Sequence, residues 1–209
     1  MNDRPPAAPP AIPAPGTRLR SADRRKQIVR VASDLLATRG VDHVRFPEVA
    51  DAAGVTRAVV YRFFPSRQAI LIAVLEEFRR DLEQRYAERA VLLRDPKQLT
   101  EALRAFVEAS CDAIDSAGAG GFLLLDMDGP DPDIAAFARA TREALYRPWL
   151  VRVANVTGIR EPMLAAVSQM TVAASRSVLS LYLERRLTRE QAIEATSRGV
   201  QALLREFQA

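Results

Sequence analysis

The chain has 209 residues, 48% apolar and 27% charged, enough to bury a core in one large or two small domains. No apolar run reaches the roughly 18 residues that a membrane-spanning helix needs. A lone Cys111 excludes an intrachain disulfide, and no Cys/His cluster has zinc spacing, so the cytosol is the expected compartment. The net charge of +4 is unevenly placed. Residues 1–67 carry 12 Lys/Arg against six acids, whereas the remainder carries 18 against 20. A basic N-terminal third on a slightly acidic body suits a nucleic-acid reader joined to a second unit.

Residues 1–15 hold six of the 13 prolines and lack the apolar region of a signal peptide, so residues 1–20 read as a disordered, Pro-rich, basic tail. Ser21 or Asp23 is placed to cap a first helix running to about Arg39. Its apolar residues Ile28, Val31, Ala32, Leu35 and Leu36 recur at helical spacing, and Gly40 ends it. The most informative stretch follows, over 44–64: two short helices, 46–53 and 56–64, around a tight turn at Gly54. Pro47 fits a first helical turn, and Val49, Ala50 and Ala53 give that helix an apolar face. Gly54 supplies the backbone freedom for a sharp exit, and Thr56 is positioned to cap the next helix through its hydroxyl. Val55, Val60 and Phe63 or Phe64 are expected to hold this second helix on its own domain. Ser66 is placed to cap a longer helix through about Arg89, with Ile70, Leu71, Val74, Leu75, Phe78 and Leu82 as its stripe. Residues 21–67 thus form a predicted three-helix, helix-turn-helix domain, with the long helix connecting it to the rest.

Residues 68–209 also read as helical, without a strand pattern. A helix over about 96–116 carries Leu99, Leu103, Phe106, Val107, Ser110 and Ile114; Gly118 to Gly121 interrupt it before the short apolar run Phe122 to Leu125. Asp133 is expected to cap the next helix, which Pro148 should kink. Pro162 opens a helix to about Arg186, and Thr188 caps a last one to Phe207. Short connections predict an all-α bundle of antiparallel neighbours. Gly199, mid-helix at a cost of ~1 kcal/mol relative to Ala, predicts a close backbone contact. The last two helices, 163–186 and 188–207, are the expected homodimer interface, because a single recognition helix reads too short a site.

The stretch from Gly40 to Leu71 resembles the TetR (tetracycline-repressor-type) family of bacterial transcription regulators. The resemblance rests on Arg25, Ile28, Ala32, Leu36 and Gly40, then Val49-Ala50, Ala53-Gly54-Val55-Thr56, Val60-Tyr61, Phe64, Ser66-Arg67-Gln68 and Ile70-Leu71. Three positions depart from the family pattern: Arg45 stands where a small hydroxyl residue is usual, Ala58 replaces a frequent Gly, and Arg67 replaces the commoner Lys. The resemblance implies C-terminal helices that form a ligand pocket and a dimer interface.

A helix-turn-helix sets its second helix in the major groove while the first crosses the backbone. Arg45, Thr56, Tyr61 and Arg67 are accordingly assigned to phosphates. Arg57 and Arg62 are assigned to base edges, where a bidentate arginine–guanine pair is worth ~1–3 kcal/mol of discrimination. Val59 is assigned to a thymine methyl, and Arg18, Arg20, Arg24 and Arg25 to the backbone or minor groove. In the helical body, Phe106, Ser110, Phe122, Leu125, Met127, Phe137, Trp149, Met170 and Arg176 are candidates to line a small-molecule cavity, with Arg176 a potential carboxylate anchor.

Other features carry less. Asp126, Asp128, Asp131 and Asp133 lack the Gly spacing and bidentate Glu of an EF-hand and read as helix-capping acids. Gly118 to Gly121 lack the Lys-Ser/Thr of a P-loop. His43, the single histidine, has no evident nucleophile partner. No catalytic residue, metal or cofactor is expected. The expected function is a cytoplasmic, ligand-responsive DNA-binding transcription regulator. It is read as a repressor that binds a palindromic double-stranded operator as a homodimer and is released by a small apolar effector, with no membrane partner. The alternatives are a helical carrier of small hydrophobes with a vestigial DNA-binding head, and a small all-α enzyme.

Overall fold

The computed structural model of the protein describes residues 21–90, 93–126 and 131–207. The tail over 1–20, with Arg18 and Arg20, and the positions Met127 and Asp128 lie outside the described residues. Among the described residues the chain forms nine α-helices and no strand. These are α1 (Ser21–Arg39), α2 (Phe46–Ala52), α3 (Arg57–Phe63), α4 (Arg67–Ala90), α5 (Leu99–Ala117), α6 (Ala119–Asp126), α7 (Pro132–Thr157), α8 (Met163–Leu183) and α9 (Arg189–Glu206). No single helix is long and apolar enough to cross a membrane.

The N-terminal helices form where the sequence places them. Ile28, Ala32, Leu35 and Leu36 of α1, Val49 and Ala50 of α2, Val60 of α3 and Phe64 after it are all buried in one core. Gly54 has φ +63° and lets Val55 N–H reach back to Ala50 O at 3.0 Å, closing α2 with a left-handed cap. Ser66 Oγ accepts from Ala69 N–H at 3.1 Å and so caps α4. Ile70, Leu71, Val74, Leu75, Phe78 and Leu82 of α4 continue the same core into the body.

Several boundaries differ from expectation. Asp131, not Asp133, caps α7: its carboxylate accepts from Asp133 N–H and Ile134 N–H, because Pro132 takes the first helical position, where no N–H is needed. The helix that Pro162 precedes ends at Leu183 rather than near Arg186, since Arg185 turns into the left-handed region at φ 58°. Its neighbour α9 starts as expected, with Thr188 and Gln191 in a reciprocal capping box. A Cβ on Gly199 would meet nothing within 4 Å, so the close contact expected there is not made within the chain. Helix α7 runs as one element through Pro148.

The break between α5 and α6 is a close-packed joint. Gly118 has φ +90°, and a Cβ on Gly120 would collide with the backbone of Ser33 in α1. One on Gly121 would overlap Phe78 Cβ in α4. Ser33 Oγ donates to Ala117 O at 3.3 Å, and Arg30 donates to Ser116 O, pinning α1 to the same corner. Gly121→Ala is expected to destabilise the fold by about 1–3 kcal/mol, because Phe78 is buried at its Cβ and cannot swing aside; chemical denaturation with an unchanged m-value checks this.

Candidate nucleic-acid interface and internal cavity

Helix α3 presents two faces. Val60 is buried, and Val59, Val55 and Phe63 pack partly buried against the core. On the opposite side Thr56, Arg57, Ala58, Tyr61 and Arg62 are exposed. Tyr61 is 56% exposed, yet its ring lies flat on Phe46 of α2, centroids 4.0 Å apart and 9° from parallel. The stack fixes the α2–α3 angle while leaving the phenol hydroxyl outward. Arg62 lies over the Phe63 ring at 5.0 Å, and Arg25 over Phe64 at 5.1 Å.

The remaining predicted DNA contacts are placed as follows. Arg45 is exposed at the N-cap of α2 and Thr56 at the N-cap of α3; neither side chain bonds the helix it precedes, so both are available to an outside group. Val59 is half-buried at the edge of the exposed face. Arg67 turns back into the protein: its Nε donates to Val44 O at 2.9 Å and its Nη2 to Val41 O at 2.6 Å, with Asp42 at 3.8 Å. Its guanidinium is a strut beneath the loop leading into α2. Arg24 donates to Gln27, which in turn donates to Ala53 O at 3.2 Å, tying α1 to the end of α2.

In the body, α4 to α9 line a cavity with about 40 Å³ of open space. Of the predicted lining, Phe106, Ser110, Phe122, Leu125, Trp149 and Arg176 contribute to its wall. Phe137 and Met170 do not. Phe137 packs against the main core from the outer side of α7, and Met170 is 41% exposed on the outer face of α8. The sequence reading missed Tyr86, Tyr146, Thr171 and Thr196, which line the cavity too. Tyr86 lies one turn beyond Leu82 on the α4 stripe, so extending that stripe by four residues would have found it.

Aromatic rings build one wall. Tyr86 stacks on Phe106 at 3.9 Å, and Phe106 on Trp149 at 4.9 Å. Ser110 Oγ donates to Phe106 O at 3.1 Å, which leaves it to accept from the Tyr86 hydroxyl at 2.8 Å. Burial pushes the Tyr86 phenol well above its ordinary pKa and that of Tyr146 up to about 12. Both therefore remain neutral hydroxyls throughout the physiological range. His43 lies exposed in the turn Val41–His43.

A family profile described as bacterial regulatory proteins, tetR family, matches residues 28–74, the segment from mid-α1 through the exposed α3 face into α4. That segment is of the tetR family. The transcriptional activator FasR of Mycolicibacterium smegmatis is 27% identical over 184 residues, 87% of this chain and 83% of that one. The transcriptional repressor KstR2 of Rhodococcus jostii is 33% identical over 94 residues, 45% of each chain. The crystal structure of AibR in complex with isovaleryl coenzyme A and operator DNA shares the fold, with a TM-score of 0.61 at 19% identity over 83% of this chain and 96% of that one. The chain is a DNA-binding transcriptional regulator.

Removing the Arg67 strut should cost about 1–3 kcal/mol, because two backbone carbonyls lose a charged donor. Arg67→Lys should recover little of it, since an ammonium cannot hold two carbonyls in the guanidinium geometry. Urea unfolding of the two variants measures both effects.

Proposed function

We propose that the protein is a cytoplasmic repressor that binds a palindromic operator as a homodimer and leaves it when a small, largely apolar effector enters the cavity. The observation that carries the reading is the outward face of α3, where Arg57, Ala58, Tyr61 and Arg62 are exposed together on a helix seated by Val60 and Phe64. In it, Arg57 and Arg62 read base edges, Val59 meets a thymine methyl, and Arg45, Thr56 and the Tyr61 hydroxyl engage phosphates. Arg67 contributes by holding the α2 loop. Residues 21–67 act as the DNA-binding unit and 68–209 as the effector-binding and dimerisation unit. KstR2 is named a repressor, which supports this sign of regulation. The name of FasR, which matches more of the chain, favours an activator as the second reading.

The dimer reading is supported by what α8 and α9 leave uncovered. Met163 and Met170 are 44% and 41% exposed, with Ala166, Ala173 and Ala174 beside them on α8, and Gly199 and Ala202 are exposed on α9. Small residues along one face permit close helix approach, and an exposed Gly199 where an added Cβ would meet nothing within 4 Å among the described residues suits contact with a second copy.

Effector response follows from the joint at α6. Phe122 and Leu125 of α6 face the cavity, and Gly120 and Gly121, one turn earlier, press on α1 and α4. An effector larger than the present space pushes α6 and α4 outward, and the DNA-binding unit moves with them. The shift is bounded by the effector's difference in affinity for the two arrangements.

A gel shift on the promoter of the protein's own gene tests the reading. The wild type should bind, with affinity falling about a thousandfold as salt rises roughly fourfold, as expected for some six cationic contacts per dimer from Arg45, Arg57 and Arg62 of each subunit. Arg57→Ala should weaken binding by at least about tenfold without changing thermal stability. Tyr61→Phe, which keeps the stack on Phe46, should weaken binding at every sequence alike. Normal binding by both variants would contradict the assignment.

A further inference from the structure

The cavity has a second wall unlike the aromatic one. Thr171, Ser175 and Arg176 of α8 and Thr196 and Ser197 of α9 line it. A buried hydroxyl on a helix ordinarily donates to the carbonyl one turn back, and in this chain most do. Ser175 donates to Thr171 O at 2.8 Å, Ser197 to Ile193 O at 2.7 Å, Ser168 to Leu164 O at 2.5 Å and Thr157 to Val153 O at 2.7 Å. Thr171 Oγ1 and Thr196 Oγ1 do not: both atoms are shut off from solvent and meet no hydrogen-bond partner among the described protein atoms. Thr196 is 3% exposed. Buried hydroxyls that forgo the bond their own helix offers are costly, and two of them in one cavity wall mark a place where something else completes them.

We propose that Thr171 and Thr196 are the specificity pair of the cavity, which take an uncharged oxygen function, a ketone or hydroxyl, on an otherwise apolar effector. The inference rests on reading this cavity as the effector site. A carbonyl oxygen has two lone pairs with which to accept from the threonine hydroxyls. The Tyr86, Phe106 and Trp149 stack then receives the apolar body, for which a flat ring is the best fit. The competing class is a carboxylate, which the charge of Arg176 on the same wall would favour.

Trp149, the single tryptophan, lines the cavity, so its fluorescence reports occupancy directly. The full-length protein is titrated with three probes that share a phenyl-alkyl body: butylbenzene, benzylacetone and phenylbutyrate. Benzylacetone should bind about tenfold more tightly than butylbenzene. Thr171→Val and Thr196→Val, which keep the side-chain shape, should each lose most of that advantage while binding butylbenzene at least as well as the wild type does. The ligand-free Val variants should also melt about 2–4 °C higher, because an unsatisfied buried hydroxyl is gone; a hydroxyl with a structural partner would lower the melting temperature instead.

Butylbenzene binding with no gain for benzylacetone, or a gain that survives in both Val variants, overturns the proposal and leaves the cavity reading intact. Phenylbutyrate binding most tightly and depending on the two threonines overturns the uncharged class. No response to any probe overturns the cavity reading, and this proposal with it.

Discussion

The arrangement depends on one constraint, the backbone-close approach of α6 to α1 and α4. Gly118, Gly120 and Gly121 leave no Cβ at the three points where α6 meets Ser33 and Phe78. Interatomic repulsion rises so steeply at these separations that displacement of α6 cannot be absorbed locally by side-chain rotation. It must move α1, α4 or both. Since α1 and α4 belong to the same buried core as α2 and α3, they carry the exposed α3 face with them. Gln68 adds a second tie: its amide donates to Asp131 at 3.2 Å and Asp133 at 3.0 Å, linking the start of α4 to the start of α7.

The two functional surfaces are built with opposite chemistry, and each follows from what it must meet. The α3 face is cationic and solvent-facing, and its one large ring is held flat on Phe46 rather than buried. Such a surface gains from counterion release when it meets a phosphate backbone. The cavity is walled by stacked rings on one side and hydroxyls on the other, with phenols that burial keeps neutral. Cys111 plays no part in either surface; burial pushes its thiol up to about 11 and leaves it an inert core residue of α5.

The sequence made the head of the molecule legible because local signals there agree. Apolar spacing in α1, the Gly54 turn and the Ser66 cap each point to one conformation, and burial of Ile28, Val60 and Phe64 follows. In the body the signals conflict or are missing. Asp131 and Asp133 are both good caps, and only the position of Pro132 decides between them. Thr171 and Thr196 look like ordinary helix residues until their missing partners are seen in three dimensions. Met170 reads as lining by type but points outward, because on a helix apolar on both sides periodicity does not say which face turns inward. Arg67 reads as a phosphate ligand by position, yet two carbonyls nearby claim it first.

The most direct test of the account is the distance between the two α3 helices in the assembled protein. A nitroxide on Ala37→Cys, exposed on α1 in the same head and outside the α3 face, reports it by pulsed electron spin resonance, while the buried Cys111 stays unlabelled. The account expects a dimer whose label separation places the two α3 helices near one duplex turn apart, roughly 34–36 Å, when bound to DNA. Filling the cavity should shift that distance by several ångström as DNA is released. A distance that stays fixed when the cavity fills, or no inter-label coupling at all, would contradict it.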